Sequence, residues 1–314
     1  MPEMKPSRDG YGLGLVDLGQ ADERVVVLGA DLTASTRANW FQEKFPGRFF
    51  STGIAEANMV NIAAGLSLAG KVPFVCTYGV FVSGRAWDQV RTTVCYANLN
   101  VKLGGAHGGI SVGPDGATHQ ALEDIALMRC LPNMTVVVPC DALETRKATV
   151  AIGAMHGPAY VRFGREPIPV ITEEQTPFTL GRAETFRPGD DLSIIACGYM
   201  VSEALKAAET LQQEDQVSAR VINLHTVKPI DRAAIARAAA ETGAIVTAEE
   251  HQVMGGFGSA VAEVAAAECP VPMRLVGIQD RFGESGEPEE LLEAFGCCAG
   301  AIVAAAREVL KQKK

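Results

Sequence analysis

The chain lacks several features that mark common classes of protein. It carries no cationic excess, because 28 Lys and Arg face 37 Asp and Glu for a formal net charge of −9. Such a surface does not favour nucleic acid or anionic membranes. No run approaches the roughly 18 apolar residues of a membrane-spanning helix, and the first ten residues, MPEMKPSRDG, contain no apolar signal segment. We therefore expect a cytoplasmic protein that binds neither nucleic acid nor membranes.

Short binding motifs are also missing. The 8 cysteines include no C-x-x-C pair, so we predict reduced, mostly buried thiols rather than a disulfide or zinc framework. There is no P-loop and no G-x-G-x-x-G between a strand and a helix. The segment GGFGSA (255–260) comes nearest but has the wrong spacing. Nucleotide binding through such a fingerprint is therefore not supported.

What the chain does have is a regular alternation of two hydrophobic patterns. Runs such as RVVVLGA (24–30) and VPFVCT (72–77) are typical of buried strands, whereas AEANMVNIAAGLSLAG (55–70) is typical of a helix ended by glycine. Strands alternating with helices predict βαβ units and a mostly parallel sheet. Further strands are predicted at 101–106, 134–139, 159–163, 192–198, 219–224, 244–250 and 273–278, and further helices at about 85–97, 119–130, 142–155, 201–212 and 232–241.

Two α/β domains are expected. Residues from 164 to 190 are rich in proline, glycine and charge and show little periodicity, which is typical of a connection. We therefore predict a first domain over 1–165, a linker over 166–190 and a smaller α/β domain over 191–314.

Polar clusters follow several predicted strands of the first domain. In an open parallel sheet, ligands bind beyond the carboxyl ends of the strands. The longest cluster, AHGGISVGPDGATHQ (106–120), places two histidines and an aspartate on a glycine-rich backbone. The other clusters are ADLTAS (30–35), TGIAEAN (52–58), TYGVFVSGR (77–85) and GRE (164–166). Taken singly, each cluster is also compatible with an ordinary turn, helix cap or surface loop.

Together these clusters carry a family resemblance. The segments ADLTAS, TGIAEANM, TYGVFVSGRAWDQV, HGGISVGPDGATHQ, LPNMTVVVPCD and QDRFGESG occur in an order and spacing similar to those of transketolase. The chain resembles the pyrimidine-binding and C-terminal domains of that family, and most of all the C-terminal subunits of split, two-gene transketolases. The resemblance implies a thiamine-diphosphate-binding fold, with helices on both faces of a parallel sheet, followed by a smaller α/β transketolase C-terminal domain.

The resemblance implies roles around the cofactor ring. Glu56 matches the catalytic glutamate that shares a proton with N1′ of the aminopyrimidine. Tyr78 and Phe81 match aromatic residues that pack on that ring. The family often has a third aromatic residue next, where this sequence offers Gly84 or Arg85.

The resemblance also implies substrate contacts. His119 matches a histidine near the reacting carbon of the donor ketose and is a candidate proton shuttle. Asp115 matches an aspartate that binds sugar hydroxyls, and His107 matches a residue that contacts the sugar phosphate. The remaining implied phosphate contacts are Arg8, Ser35 and Arg165, with Arg162 as a less favoured alternative to Arg165.

One part of the family pattern does not appear. The Gly-Asp-Gly…Asn motif, which holds Mg²⁺ and the diphosphate, has no match in this sequence. Asp31, by contrast, matches an aspartate near the cofactor and the boundary between subunits. We therefore expect no metal site in this chain and expect it to act with an N-terminal transketolase subunit that carries the Mg²⁺ site. An α₂β₂ assembly acting on sugar phosphates such as xylulose 5-phosphate is the simplest arrangement.

Other functions remain open at this stage. The β subunit of a 2-oxo acid dehydrogenase shares the domain plan, but would not be expected to carry His107 and Asp115 together with phosphate-binding arginines. Deoxyxylulose-phosphate synthase has a similar DGxTHQ run, but usually has acidic and arginine residues in place of His107. A non-catalytic, transketolase-like subunit is a third alternative, and a hydrolase metal site built from His107, Asp115 and His119 is a fourth.

Overall fold

The computed structural model describes residues 3–313, so residues 1, 2 and 314, at the outer ends of the predicted domains, lie outside the described part. The described residues form fourteen strands in three sheets. The strands are β1 (Met4–Pro6), β2 (Val25–Gly29), β3 (Phe49–Ser51), β4 (Val72–Tyr78), β5 (Lys102–Ala106), β6 (Thr135–Val137), β7 (Ala159–Arg162), β8 (Pro167–Pro169), β9 (Glu184–Arg187), β10 (Leu192–Ala196), β11 (Ala219–Asn223), β12 (Thr226–Lys228), β13 (Ile245–Gln252) and β14 (Met273–Ile278).

Eleven α-helices pack around these sheets in the described part of the chain. They are α1 (Ser7–Ala21), α2 (Asn39–Lys44), α3 (Glu56–Leu68), α4 (Trp87–Gln89), α5 (Asp124–Arg129), α6 (Ala142–Ala154), α7 (Met200–Asp215), α8 (Arg232–Thr242), α9 (Phe257–Glu268), α10 (Pro288–Ala294) and α11 (Ala299–Leu310). None of them is long and apolar enough to cross a membrane. All eight cysteines are free thiols, as expected.

The first domain is built on a seven-stranded sheet in the order β12-β6-β7-β5-β4-β2-β3, parallel except for β12 at one edge. Alternate residues of each strand point to opposite faces. In β2, Val25 and Val27 pack with the core under α1 and α6, while Val26 and Leu28 pack with the core under α3. Helices therefore cover both faces, which confirms the predicted fold class.

The second domain repeats this plan on a five-stranded sheet in the order β14-β13-β10-β11-β9. Ile194 of β10 belongs to the core shared with α7 and α11, and Ile195 belongs to the core shared with α8 and α9. That second core is continuous with the core under α3 of the first domain. The two domains therefore bury apolar surface against each other.

Helix α1 was not predicted, because glycines at four of its positions lower its helix propensity. The packing explains two of them. A side chain at Gly10 would overlap the carbonyl of Ala142, and one at Gly14 would lie 2.6 Å from Cβ of Thr149. These glycines let α1 lie directly against α6, and that gain in packing outweighs the propensity that they cost.

The predicted linker contains two short strands. β8 pairs with β1, and β9 joins the second sheet antiparallel to β11. In addition, β12, although it lies in the second half of the sequence, pairs with β6 and forms an edge strand of the first sheet. Short, proline-bearing edge strands give almost no periodic signal. The segment 166–190 is therefore tied to both domains by strand pairing.

Two predicted helices differ from the structure. The helix expected at about 85–97 consists of π-helical turns at Phe81–Arg85 and Val90–Cys95 on either side of α4. The helix expected from His119 starts only at Asp124. Residues 119–123 remain outside this helix because they contact the second domain. There the backbone N–H of Gln252 donates to the Leu122 carbonyl.

Candidate active site

The carboxyl edge of the first sheet gathers the predicted site residues. The turn after β2 carries Asp31 and Ser35, the end of β4 carries Tyr78, and the loop after β5 carries the segment 107–119. Glu56 is the first residue of α3 and lies at the same edge. Ligand-binding residues are expected at this edge because successive parallel strands bring their following loops together there.

Four rings form one cluster at this edge. The Tyr78 ring stacks on the His107 imidazole with centroids 3.9 Å apart and on the Phe81 ring at 5.7 Å. His119 lies edge-on to both Tyr78 and Phe81, at 5.9 and 5.4 Å. Both histidines predicted from the loop therefore contact the aromatic residues predicted from the end of β4. The cluster gives a flat apolar wall with polar ring edges.

A buried carboxylate faces this wall. The Glu56 side chain is 4% exposed, and Nη1 of Arg85 lies 3.4 and 3.5 Å from its two oxygens. The guanidinium of Arg85 also lies 4.0 Å over the Phe81 ring. The π-helical turn places it there, whereas a side chain at Gly84 would point into open space. Of the two residues that the sequence offered for the third position, Arg85 is therefore the one whose side chain contacts both Glu56 and Phe81.

The His107 imidazole is held neutral. Burial lowers its pKa to about 3, with the nearby charges of Arg8 and Arg165 acting in the same direction. His107 is 2% exposed, and its Nδ1 has no hydrogen-bond partner among the described residues. The backbone at His107 has a φ of 58°, an uncommon conformation that turns the ring onto Tyr78. At neutral pH this side chain can offer one N–H donor and one acceptor, but no charge.

Two arginines stand close enough to His107 to affect its charge. Nη1 of Arg8 donates to the backbone carbonyl of Ser35 at 3.3 Å, and its buried Nε has no partner within residues 3–313. Burial lowers the pKa of Arg8, and the charge of Arg37 adds to that effect. Nη1 of Arg165 donates to Oδ1 of Asp115 at 3.0 Å. Nε of Arg165 also lies 3.2 Å from Oε1 of Glu166, so two carboxylates offset the charge of Arg165.

Two of the residues named from the sequence lie apart from the ring cluster. Asp31 is exposed, in a turn with a φ of 60°. Arg162 is buried, and its Nε forms an ion pair with Asp124 at 2.9 Å. Its Nη2 donates to the carbonyls of Ala121 and Glu250. The guanidinium of Arg162 is thus committed to the domain interface.

The proposed metal triad has a different arrangement. Residues 3–313 contain no group of three or more His, Cys, Asp or Glu side chains placed to hold a metal ion. Asp115 pairs with Arg165, and His107 stacks on Tyr78. The charge partner of Asp115 is therefore a guanidinium.

The second domain also reaches this site, which no motif had indicated. The Ser111 amide, inside the histidine-bearing loop, donates to Oε1 of Glu250 at 2.6 Å. Burial raises the pKa of Glu250, while Arg162 and the Ser111 amide oppose that rise. Glu250 lies near the end of β13, so the rule that ligands and polar groups collect at carboxyl ends of strands was the one available signal.

These features define a class. A parallel sheet whose carboxyl edge carries a buried glutamate, stacked rings and arginines, followed by a second α/β domain, is the thiamine-diphosphate-binding fold. Residues 4–170 match the family model described as the transketolase pyrimidine binding domain, and residues 181–302 match the transketolase C-terminal domain. The chain belongs to the transketolase family, which confirms the resemblance seen in its motifs.

Similar proteins have the same extent. The chain is 47% identical to the 6-deoxy-6-sulfo-D-fructose transketolase subunit SqwH of Clostridium sp. (strain MSTE9), over 98% of this chain and 95% of that protein. It is 39% identical to an apulose-4-phosphate transketolase subunit of Phocaeicola vulgatus, over 95% of each. A solved split-gene transketolase, described as an inactive β4 tetramer, superposes with a TM-score of 0.92 at 46% identity, covering 98% of this chain and 99% of that one. The chain is therefore similar, over nearly its whole length, to subunits of split transketolases.

Proposed function

We propose that the chain is the catalytic C-terminal subunit of a two-subunit transketolase. The assembled enzyme moves a two-carbon ketol unit from a ketose phosphate to an aldose phosphate. The observation that carries this proposal is the meeting of Glu56, the Tyr78–Phe81 wall, His119 and the arginines at one sheet edge. Two relatives of similar length, both named as transketolase subunits, support the reaction class.

The residues present fit the aminopyrimidine of thiamine diphosphate. Glu56 is buried, and Nη1 of Arg85 shares one long contact with each of its oxygens, so each oxygen keeps a lone pair that could accept from a ring nitrogen. Tyr78 and Phe81 offer faces for a flat heterocycle. Arg85 would lie at its edge and Asp31 at the rim. When bound, the cofactor supplies the carbanion chemistry, while this chain orients the ring and excludes water.

The substrate is assigned to the other side of the ring cluster. His119, whose Nδ1 lies 2.9 Å from Oγ1 of Thr118, would hold or move a proton at the reacting carbon through its other nitrogen. Asp115 would accept hydrogen bonds from sugar hydroxyls. Phosphate would meet Arg165 and Arg8 as charged donors, with His107 and Ser35 as neutral ones. Neutral His107 adds a donor without adding charge.

The substrate sugar could end in either of two anionic groups, a sulfonate or a phosphate. One relative is named for a sulfonated ketose and another for a phosphorylated one. Sulfonate and phosphate both accept hydrogen bonds from guanidinium groups. We assign phosphate, with a xylulose 5-phosphate type of donor, because the buried Nε of Arg8 has no partner among residues 3–313 and the charge of Arg165 is close enough to lower the pKa of Arg8.

The metal and diphosphate are assigned to a partner. We infer an N-terminal transketolase subunit carrying the Gly-Asp-Gly…Asn motif, which holds Mg²⁺ and the diphosphate, in an α₂β₂ assembly with the cofactor between unlike chains. The solved neighbour, a β4 tetramer described as inactive, supports self-association of such subunits without turnover.

Reconstitution tests this assignment. The purified chain alone should show no ketol transfer from xylulose 5-phosphate, and mixing it with the N-terminal subunit, Mg²⁺ and thiamine diphosphate should produce activity. Ketol transfer by the isolated chain would refute the partner requirement. An assembled enzyme that used only a sulfonated ketose would overturn the choice of phosphate while leaving the reaction class intact.

A further inference from the structure

The loop that carries His107, Asp115 and His119 has two sides. One side faces the ring cluster, and the other rests on the second domain. At this second contact the Ser111 amide donates to Oε1 of Glu250 at 2.6 Å. A side chain at Gly109 would overlap the same carboxylate. The Glu250 carboxylate therefore fills the space directly beneath the loop.

A second anchor follows along the loop. The Gln120 side-chain amide donates to the Ile110 carbonyl at 3.2 Å and to the Glu284 carbonyl at 2.8 Å. Glu284 belongs to the QDRFGESG segment, whose Ser285 leaves no room for a side chain at Gly116. One amide group thus joins the two halves of the loop to the second domain.

Apolar packing fixes the same loop. Ile110 and Leu122, near its two ends, are fully or almost fully buried in the core of the second domain with α7 and α11. The end of the loop is also held by Arg162, which donates to the carbonyls of Ala121 and Glu250. Glu250 therefore contacts the loop through its side chain and is tied to its end through its backbone.

From these contacts we propose that Glu250 is a positioning residue for the reaction, which sets the height of the 107–119 loop above the sheet edge. The carboxylate reaches from the second domain to the Ser111 amide and keeps the His107 ring stacked on Tyr78. The QDRFGESG segment acts as the second support. The C-terminal domain would thus shape the substrate side of the site without touching substrate. The consequence for turnover rests on the function proposed above.

The reach of the side chain can be separated from its charge. Glu250→Asp keeps the carboxylate but withdraws it by one methylene, so it should no longer reach the Ser111 amide. Glu250→Gln removes the charge but keeps the length and an acceptor oxygen. The matched control is Glu308→Ala. Glu308 lies on α11 of the same domain and forms an exposed ion pair with Arg274.

Amide hydrogen exchange of the full-length chain tests the positioning directly. Glu250→Asp should speed exchange in the 108–119 segment about tenfold or more, the effect expected for losing a charge-assisted hydrogen bond, with smaller changes in β10–β14. Glu250→Gln should have a smaller effect, and Glu308→Ala none. Exchange in 108–119 that stays unchanged in Glu250→Asp, or rises equally across the second domain, would overturn the proposal.

Kinetics of the assembled enzyme provide the second test. Glu250→Asp should lower kcat about tenfold or more, with KM for the sugar phosphate changing less, and Glu250→Gln should restore most of the loss. If exchange in the loop became faster while kcat stayed unaltered, the positioning of the loop by Glu250 would not matter for turnover, and the proposal would be overturned. If the unaltered assembly lacked transketolase activity, the proposed function would fail, while the exchange experiment would still test the contact.

Discussion

The carboxylate of Glu56 and the guanidinium of Arg85 lie 3.4 Å apart, the acid buried and the base about half exposed. The Glu56 carboxylate is therefore shielded from water, whereas the Arg85 side chain is in contact with it. Since Arg85 also lies over the Phe81 ring, it is held in place even when the carboxylate has another partner. This geometry links the Glu56 carboxylate to the ring cluster through Arg85.

Removing the Glu56 carboxylate should abolish turnover. In Glu56→Ala the proton-sharing group is lost, and kcat of the assembled enzyme should fall by about a thousandfold or more, the upper part of the range for a lost acid–base group. Steady-state assays measure this, and circular dichroism checks that the fold is intact. Glu43→Ala, an exposed position on α2, is the control. Near-normal kcat in the folded Glu56→Ala enzyme would rule out the assigned role.

Replacing Arg85 should weaken cofactor binding more than it slows turnover. Arg85→Gln loses both the contact to Glu56 and the stacking on Phe81, which together amount to roughly 1–2 kcal/mol. The Kd of thiamine diphosphate for the assembled enzyme should therefore rise about five- to thirtyfold, as measured by calorimetry. An Arg85→Phe variant should recover part of this loss by packing against Phe81. Unchanged affinity in Arg85→Gln would show that Arg85 is not part of the cofactor site.

Arg165 should matter chiefly for phosphorylated substrates. Losing a charged hydrogen bond of about 1.5–3 kcal/mol predicts a rise in KM of about ten- to 150-fold in Arg165→Ala, with a smaller change in kcat. Arg165→Lys should be intermediate, because lysine keeps the charge but not the fork of donors. Arg182→Ala, an exposed arginine elsewhere, is the control. An equal loss with a non-phosphorylated ketose would contradict phosphate binding at Arg165.

Acid should destabilise the chain through its buried histidines. Burial lowers the pKa of His225 from 6.5 to about 4, so between these values the unfolded chain binds a proton that the folded chain does not. Stability is therefore lost as the pH falls through this window. Relative to His225→Gln, the wild-type chain should lose about 2 kcal/mol of unfolding free energy between pH 7.5 and 5.

Urea denaturation of the isolated chain at the two pH values gives this difference. His156→Gln, at an exposed position, is the matched control. Phe178 stacks on the His225 ring at 4.3 Å, so the variant also loses packing, but that loss is the same at both pH values. A wild-type-to-variant difference that does not change with pH would contradict the assignment.

The central strands could be predicted because their buried, β-branched runs carry a strong local signal. β2 and β4 lie within a residue or two of the predicted runs. By contrast, α1 was missed because its glycines are favoured only by close contact with α6. β12 was missed because its partner strand lies far away in the sequence. Local patterns report local burial, and these two elements depend on tertiary contacts.

The location of the site could likewise be predicted, but its charge state and its contacts with the second domain could not. The motifs located the polar clusters at the carboxyl edge, and the structure brings Tyr78, Phe81, His107 and His119 together. The neutral state of His107 could not be read from the sequence, because it depends on burial and on two arginines that lie far from it in the sequence, Arg8 and Arg165. The contact between Ser111 and Glu250 joins residues 139 positions apart. No periodicity or spacing rule spans that distance.

The pairing of β12 with β6 affects when the first sheet can be completed during translation. β12 belongs to the second half of the chain, yet it forms the edge of the first sheet beside β6. During synthesis, the ribosome releases β2 to β7 well before residue 228. The β6 edge of the first sheet therefore stays unpaired until the first part of the second domain has emerged, and unpaired edges invite association with other chains. Completion of the first domain is thus tied to translation of the second.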